Sequence, residues 1–343
     1  MSPDALVGYL RGQGEYCAAH GSVLYGVLCA ALADDVVAGG RAADLLARWT
    51  AAGVDRAQVD REVPALRLLG GAHRLVLSGR APGLAAHFPS AGGAAGPQGA
   101  WPALRAVLAE HGRRLRAALG RPPQTNEVGR SVPLLGGLRQ IAARTGAMPV
   151  RLHEIGTSAG LNLRADHFPV GPGMLLDSPL PLPQVTAGPI VQRVGADLHP
   201  LDPTTRRGRL VLASYVWPDD RVRLERLQAA LAVAAAVPVQ LRRCSAAELV
   251  RELDVRAGAV TVLWHSVMWQ YVGEQERTQV LAQVARLGAA ASDSAPFAHL
   301  RFEPARTDQE DGGGHQVRLT LWPGGVDRLL GTAPAHGVPT RWR

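Results

Sequence analysis

The chain has 343 residues, 47% of them apolar and 19% charged, which is ample material for a core and excludes a chain that is disordered throughout. Its longest apolar run, Ala229 to Val239, is interrupted by Pro238 and falls short of the ~18–20 residues a helix needs to cross a bilayer. The net charge is +8, but all 37 basic residues are arginine, and arginine with abundant Ala, Gly and Pro reads as the bias of a GC-rich coding sequence.

The arginines are spread along the chain. The tightest groups, Arg113-Arg114-Arg116 and Arg206-Arg207-Arg209, carry no interleaved aromatics of the kind that stack on bases. A dedicated nucleic-acid surface is therefore not expected, whereas bidentate pairing with a carboxylate, sulfate or phosphate is within arginine's chemistry. Cys17, Cys29 and Cys244 are too few and too scattered for a disulfide framework or a metal site. Met1-Ser2-Pro3-Asp4 has neither a basic nor an apolar leader segment. The expectation is a soluble cytoplasmic protein whose partner is a small molecule, with an anionic group as arginine's natural counterpart. Homo- and hetero-oligomers both stay open.

In chain order, residues 3–38, 42–50, 62–79 and 101–119 show apolar residues at three-to-four spacing and predict helices, with a Gly/Ala/Pro-rich connector at 90–99. After residue 148 strands and helices alternate. Strands are expected at 150–155, 191–198, 239–243, 260–264, 297–302 and 317–322, and helices at 158–166, 221–236, 246–253 and 274–290. That succession predicts a helical N-terminal region, 1–147, followed by an α/β domain, 148–343, built on a mainly parallel sheet. The last two strands lack a helix between them, which points to an antiparallel edge hairpin.

The sharpest motif is His153-Glu154-Ile155-Gly156-Thr157-Ser158-Ala159-Gly160-Leu161-Asn162-Leu163. A strand ends in an acid, turns through two glycines four apart and opens a helix, so backbone N–H groups and a carboxylate converge on one spot. The spacing is not the dinucleotide fingerprint. It resembles motif I of class I S-adenosylmethionine-dependent methyltransferases, with Ser158 where that motif has its middle glycine. The wider chain resembles a bacterial family catalogued as the domain of unknown function 2332. The resemblance rests on Gln124 to Arg130, Glu154 to Leu163, Gly195 to Asp202, Tyr215 to Asp219 and Trp264 to Tyr271.

The resemblance implies a class I methyltransferase-like, Rossmann-like core. S-adenosylmethionine would then be the cofactor, held by Glu154, Gly156, Ser158, Gly160, Asp197 and Ser245. Asp197 would take the ribose hydroxyls. It lies 41 residues beyond Gly156 rather than about 20, an excess that a Pro/Gly-rich insertion at 169–189 would supply. Methyltransferases often carry an acid after the third strand; here Arg243-Cys244-Ser245-Ala246 has none. His265 ends the fourth strand, where open α/β sheets bind ligands, and is the candidate general base together with Glu127. Gln124, Asn126, Arg130, Asn162, Trp217, Trp269 and Tyr271 are the candidate substrate contacts.

Three functions are compatible with this reading. The first is methyl transfer from S-adenosylmethionine to a small acceptor, in which positioning supplies most of the rate. The second keeps the fold without the cofactor: a substrate amine displaces an anion such as sulfate to close a strained ring such as an aziridine in natural-product biosynthesis. Ser158 and the missing acid lean toward the second, the intact Glu154 turn toward the first. The third is an arginine-rich RNA-binding or scaffold protein, which would bind with steep salt dependence. No Gly-x-Ser-x-Gly elbow, lysine-containing phosphate loop or paired metal-ligand motif is present.

Overall fold

A computed structural model describes residues 2–171, 174–176, 184–305 and 314–343. The chain divides into two compact units, Met1–Thr125 with Arg206–Glu225, and Asn126–Thr205 with Arg226–Arg343. The division thus falls at Thr125 rather than near residue 147, and the first unit regains the chain at Arg206. Among the described residues no single helix is long and apolar enough to cross a membrane.

The first unit is helical: α1 (Pro3–Ala19), α2 (Val23–Val37), α3 (Arg41–Leu46), α4 (Arg56–Glu62), α5 (Pro64–Leu77), α6 (Pro82–Ala85), α7 (Ala100–Glu110) and α8 (Gly112–Leu119). The Ser2 hydroxyl accepts the Ala5 N–H and Pro3 supplies the first helical φ, which starts α1. Gly21 at φ +99° turns the chain, so the expected run 3–38 becomes a pair of helices. Leu6, Leu10, Leu28, Leu32, Leu46, Trp49, Leu68 and Leu69 fill one core. His73 is buried there between the Ser214 carbonyl (3.2 Å) and the Ser90 hydroxyl (2.7 Å).

The second unit begins with α9 (Ser131–Thr145), β1 (Val150–Ile155) and β2 (Ile190–Asp197). Next come α10 (Arg206–Ser214), which belongs to the first unit, α11 (Arg221–Ala236), β3 (Gln240–Arg243), α12 (Ala246–Glu252), β4 (Val260–Ser266), α13 (Glu274–Ala290), β5 (Phe297–Pro304), β6 (His315–Trp322), β7 (Val326–Ala333) and β8 (Arg341–Trp342). One sheet runs β3-β2-β1-β4-β5-β6-β7-β8, parallel through β5 and antiparallel beyond. The parallel part keeps the 3-2-1-4-5 order of doubly wound folds, whose ligand crevice lies at the carboxyl ends where the order reverses, between β1 and β4. Gly324 (φ +115°) and Gly325 (φ +69°) turn β6 tightly into β7.

Both central strands are buried at every position; β4 is mostly apolar, as a strand covered on both faces requires, whereas β1 buries Arg151, His153 and Glu154 among its apolar residues. One face packs Ile155, Leu263 and Phe297 under Leu249 and Val250 of α12 and Val280, Val284 and Leu287 of α13. On the other, Gly137 of α9 lets that helix approach Leu300 so closely that a Cβ would meet its Cδ2 at 2.4 Å. The expected helix at 158–166 is corrected: only Asn162–His167 is helical, as a 3₁₀ segment. Gly156 (φ +69°), Ser158 (φ +53°) and Gly160 (φ +66°) alternate left-handed residues through the turn, which no α-helix tolerates. Of the insertion expected at 169–189, residues 172–173 and 177–183 lie outside the described residues.

Candidate functional site

The glycine turn is the first place to look. Ser158 holds the left-handed conformation that a glycine would take there, so the motif's backbone shape survives the substitution. Its donors, however, are occupied. Thr157 N–H donates to the Ala196 carbonyl (3.0 Å) and Gly160 N–H to the Thr157 carbonyl (2.8 Å). Ser158 N–H donates to Asp197 Oδ2 (2.9 Å), and the N–H groups of Ala159 (3.2 Å) and Leu161 (2.8 Å) both donate to Asn126 Oδ1. Five consecutive N–H groups are thus satisfied by the chain itself.

The acids there are engaged as well. Asp197 Oδ1 accepts the His199 N–H (2.8 Å). Glu154 is 2% exposed and accepts the Thr157 hydroxyl at 2.5 Å; burial pushes its carboxyl up to about 7 against that hydrogen bond, away from the charged form that would greet an ammonium. The Met268 side chain lies over Gly156, where a Cβ would meet it at 2.9 Å. Ser245 accepts the Glu248 N–H and Glu248 accepts the Ser245 N–H, a capping box that starts α12. These residues do not fit S-adenosylmethionine: the donors, the acids and the space over the glycine that would receive it are all taken from within the chain.

The carboxyl ends of β4 and β5 differ. His265 pairs in register with Arg301, and Leu263 with His299, so His265, His299, Arg301 and Glu303 line one face. His265 Nδ1 lies 2.7 Å from Glu303 Oε1, and His265 Nε2 lies 3.1 Å from His299 Nε2. The indole of Trp269 stacks on the His265 ring at 5.1 Å. Glu303 also faces the N–H groups of Met268 (3.3 Å) and Trp269 (3.4 Å). The His265 side chain is 2% exposed and that of Glu303 16%, so the carboxylate is the member that meets solvent. Burial first, then the neighbouring His265 and Arg301, hold His299 well below the usual histidine range, hence neutral.

Arginines border this line. Arg301 and Arg318 both bond Asp327, Arg318 Nε at 2.9 Å, and Thr320 donates to the same carboxylate at 3.1 Å. Burial alone would raise the Asp327 carboxyl; Arg301 and Arg318 outweigh it and hold it below the ordinary range. Arg301 Nε is buried with no hydrogen-bond partner among the described residues. Val267, the residue after β4, sits at φ +49°, a strained conformation for a β-branched side chain and a feature that clusters at functional sites.

A second polar group adjoins the strand ends. Glu127 is buried, accepts the Gly129 N–H at 3.0 Å, and lies 3.6 Å from Arg226 and 3.4 Å from His336 Nδ1. Arg130 donates to the Ala335 carbonyl (3.1 Å) and the Ser266 carbonyl (3.3 Å), tying the end of β4 to the C-terminal segment. Burial, then Arg130, lower His315, with Glu303 opposing and His336 adding to the shift.

The expected residues therefore separate. His265 stands at the centre but is buried behind Glu303 rather than presented as an exposed base. Glu127 is a buried, ion-paired carboxylate. Asn126 and Asp197 brace the glycine turn, and Asn162 accepts the Ser131 hydroxyl at 2.8 Å in the interior. Tyr271 is 64% exposed. Trp217 packs against the first unit's core and Gln124 lies one residue before the end of that unit's first segment. Sequence reasoning missed Glu303, His299, Arg301, Arg226, His315 and His336. The signal for the first three was available in His299-x-Arg301-x-Glu303, an alternation of polar side chains on a strand that is otherwise apolar.

Fold and site define a mixed α/β protein with a Rossmann-like, mainly parallel sheet and a histidine–carboxylate line at the carboxyl ends of its central strands. The chain belongs to a family of bacterial proteins, described as uncharacterized and conserved in bacteria (DUF2332), whose match spans residues 8–342. No curated protein and no solved structure matches it.

Proposed function

We propose that this protein is a cofactor-independent enzyme that moves a proton at the Glu303–His265 pair of a small substrate bearing an anionic group. The observation that carries this reading is the 2.7 Å hydrogen bond between His265 and the one carboxylate of the line that reaches solvent. A carboxylate backed by an imidazole is a general acid–base device. Arg301, whose Nε has no hydrogen-bond partner among the described residues, is the group suited to an anion.

The narrower form is intramolecular substitution. Glu303 takes a proton from a substrate ammonium, the freed nitrogen pair forms an N–C bond, and the C–O bond breaks with its electron pair leaving on sulfate. The product is a three-membered aziridine ring. In-line geometry and charge stabilisation supply the rate, and neither requires a cofactor. In favour of methyl transfer from S-adenosylmethionine stands the left-handed backbone of the glycine turn; against it stand the occupied donors.

Two measurements test this. Calorimetric titration with S-adenosylmethionine is expected to give no heat of binding, and micromolar binding would overturn the cofactor-free reading. Ion chromatography of sulfate released from vicinal amino sulfate esters is expected to show turnover by the wild type and its loss in Glu303→Gln. Equal rates in both proteins would remove Glu303 from the chemistry.

A further inference from the structure

We infer that His299 is a positioning residue that fixes the tautomer of His265 and thereby leaves Glu303 as the group that receives the substrate proton. The inference rests on the reading of Glu303–His265 as the proton-handling pair, and it follows from counting hydrogens along the line. A nitrogen–nitrogen separation of 3.1 Å holds one proton; two N–H groups facing each other at that distance would repel, and two bare nitrogens would leave both lone pairs unsatisfied. At the other end, a carboxylate 2.7 Å from His265 Nδ1 is an acceptor only, so Nδ1 carries the proton. Neutral His265 then presents a bare Nε2, and the proton between the two rings belongs to His299 Nε2.

The surroundings keep His299 in that role. It is 3% exposed on β5, opposite Leu263 on β4 and Thr320 on β6. The titratable and charged groups that share this face of the sheet are Arg301 and Glu303 on β5, His265 on β4, Arg151 and His153 on β1, Arg318 on β6 and Asp327 on β7, and α13, which packs on β5, carries Glu274, Glu276, Arg277 and Arg286. Burial opposes a charge on His299, and the nearby Arg301 opposes it further. For His265 to become an imidazolium, its new Nε2–H would need an acceptor. His299 would have to give up its Nε2 proton and take one on Nδ1. A proton delivered to Glu303 needs no such change: its protonated carboxyl still accepts from His265 Nδ1 through the second oxygen. The line therefore directs the incoming proton to the carboxylate, the member that solvent reaches.

The test is histidine nitrogen NMR on the full chain, which reads tautomers without any turnover. In the wild type, His265 is expected to show a protonated Nδ1 and a bare Nε2, and His299 a protonated Nε2. In His299→Leu, His265 is expected to lose that tautomer. His299→Gln, whose amide can donate to Nε2, is expected to restore it. The acid limb of the sulfate-release profile is expected to move up by about one pH unit or more in His299→Leu and to return in His299→Gln. A wild-type His265 protonated on Nε2 would overturn the inference, and that spectrum needs no variant to fold. If no amino sulfate turns over while the tautomers stand as stated, the proposed substrate falls and the positioning role remains.

Discussion

The carboxyl ends of β1 and of β4–β5 are neighbours at the reversal point of the same sheet, and they use their polar groups in opposite ways. At the end of β1, five consecutive N–H groups and the side chains of Glu154, Asp197 and Asn126 satisfy one another. At the end of β4 and β5, a hydrogen-bonded line of three side chains ends in a carboxylate that remains partly open. The first arrangement stabilises a loop. The second holds a proton acceptor in place with its partners prearranged, and such prearrangement is what catalysis requires. A motif therefore reports the path of the backbone, while the fate of its donors depends on what else the fold brings near.

The two strand ends are expected to differ most under substitution at the open one. Glu303→Gln is expected to lower turnover by about 10²- to 10⁴-fold, the usual contribution of a general acid–base group, with stability little changed; steady-state sulfate release measures it. At the closed end, Glu154 is expected to make stability depend on pH. Its folded-state carboxyl sits at about 7, above its unfolded value, so the folded state holds the proton more tightly. Its contribution is full below the unfolded value near 4.5 and is lost as pH rises through 7. The loss is on the order of 3 kcal/mol. His73 and His153, lowered to about 4 by burial, act in the opposite direction, their contribution being lost as pH falls from 6.5 toward 4. The diagnostic is therefore the difference between wild type and Glu154→Gln in urea unfolding across this range, which isolates the carboxyl.

Asn126→Ala strips the acceptor from two N–H groups of the turn and is expected to cost about 2 kcal/mol, since an unsatisfied buried donor costs ~1–3 kcal/mol; the urea midpoint reads it. A shift under a few tenths would mean that the turn's donors find other acceptors and that the closed end is less closed. The smallest effect is expected from Ser158→Gly. Relief of a left-handed non-glycine residue gains about 1–2 kcal/mol, and the added freedom of the unfolded chain returns about 0.4–1 kcal/mol. The net is a rise of roughly 0.5 kcal/mol, visible as a small increase in melting temperature.

Much of the architecture was legible from local pattern. The buried run Val260 to Trp264 and the amphipathic stretch 274–290 declare themselves through short-range periodicity, and β4 and α13 formed where expected. Strand β7 was not legible, because Val326, Asp327 and Arg328 are all exposed and leave no apolar alternation to read. Helix α10 was hidden by its three arginines, whose long stems can lie along a helix without marking a face. In the site, His265 and Arg130 were found by position, at a strand end and beside an apolar helix. Glu303 and His299 carry no local signal of the kind an acid at a turn gives, because they occupy a strand and meet His265 only across a parallel pairing.

By itself the sequence determined the alternation of helices and strands after residue 148, the acid and glycines that bend the chain after β1, and the absence of any lysine. All of these depend on neighbours a few residues apart, where sterics and periodicity act directly. The tertiary structure alone decided that Asn126 would fill the turn 33 and 35 residues away, that Glu303 would reach His265 across 38 residues, and that His299 would stand behind it. Those outcomes depend on strand order and register, which arise when distant segments bury their apolar faces together, and no local pattern encodes them.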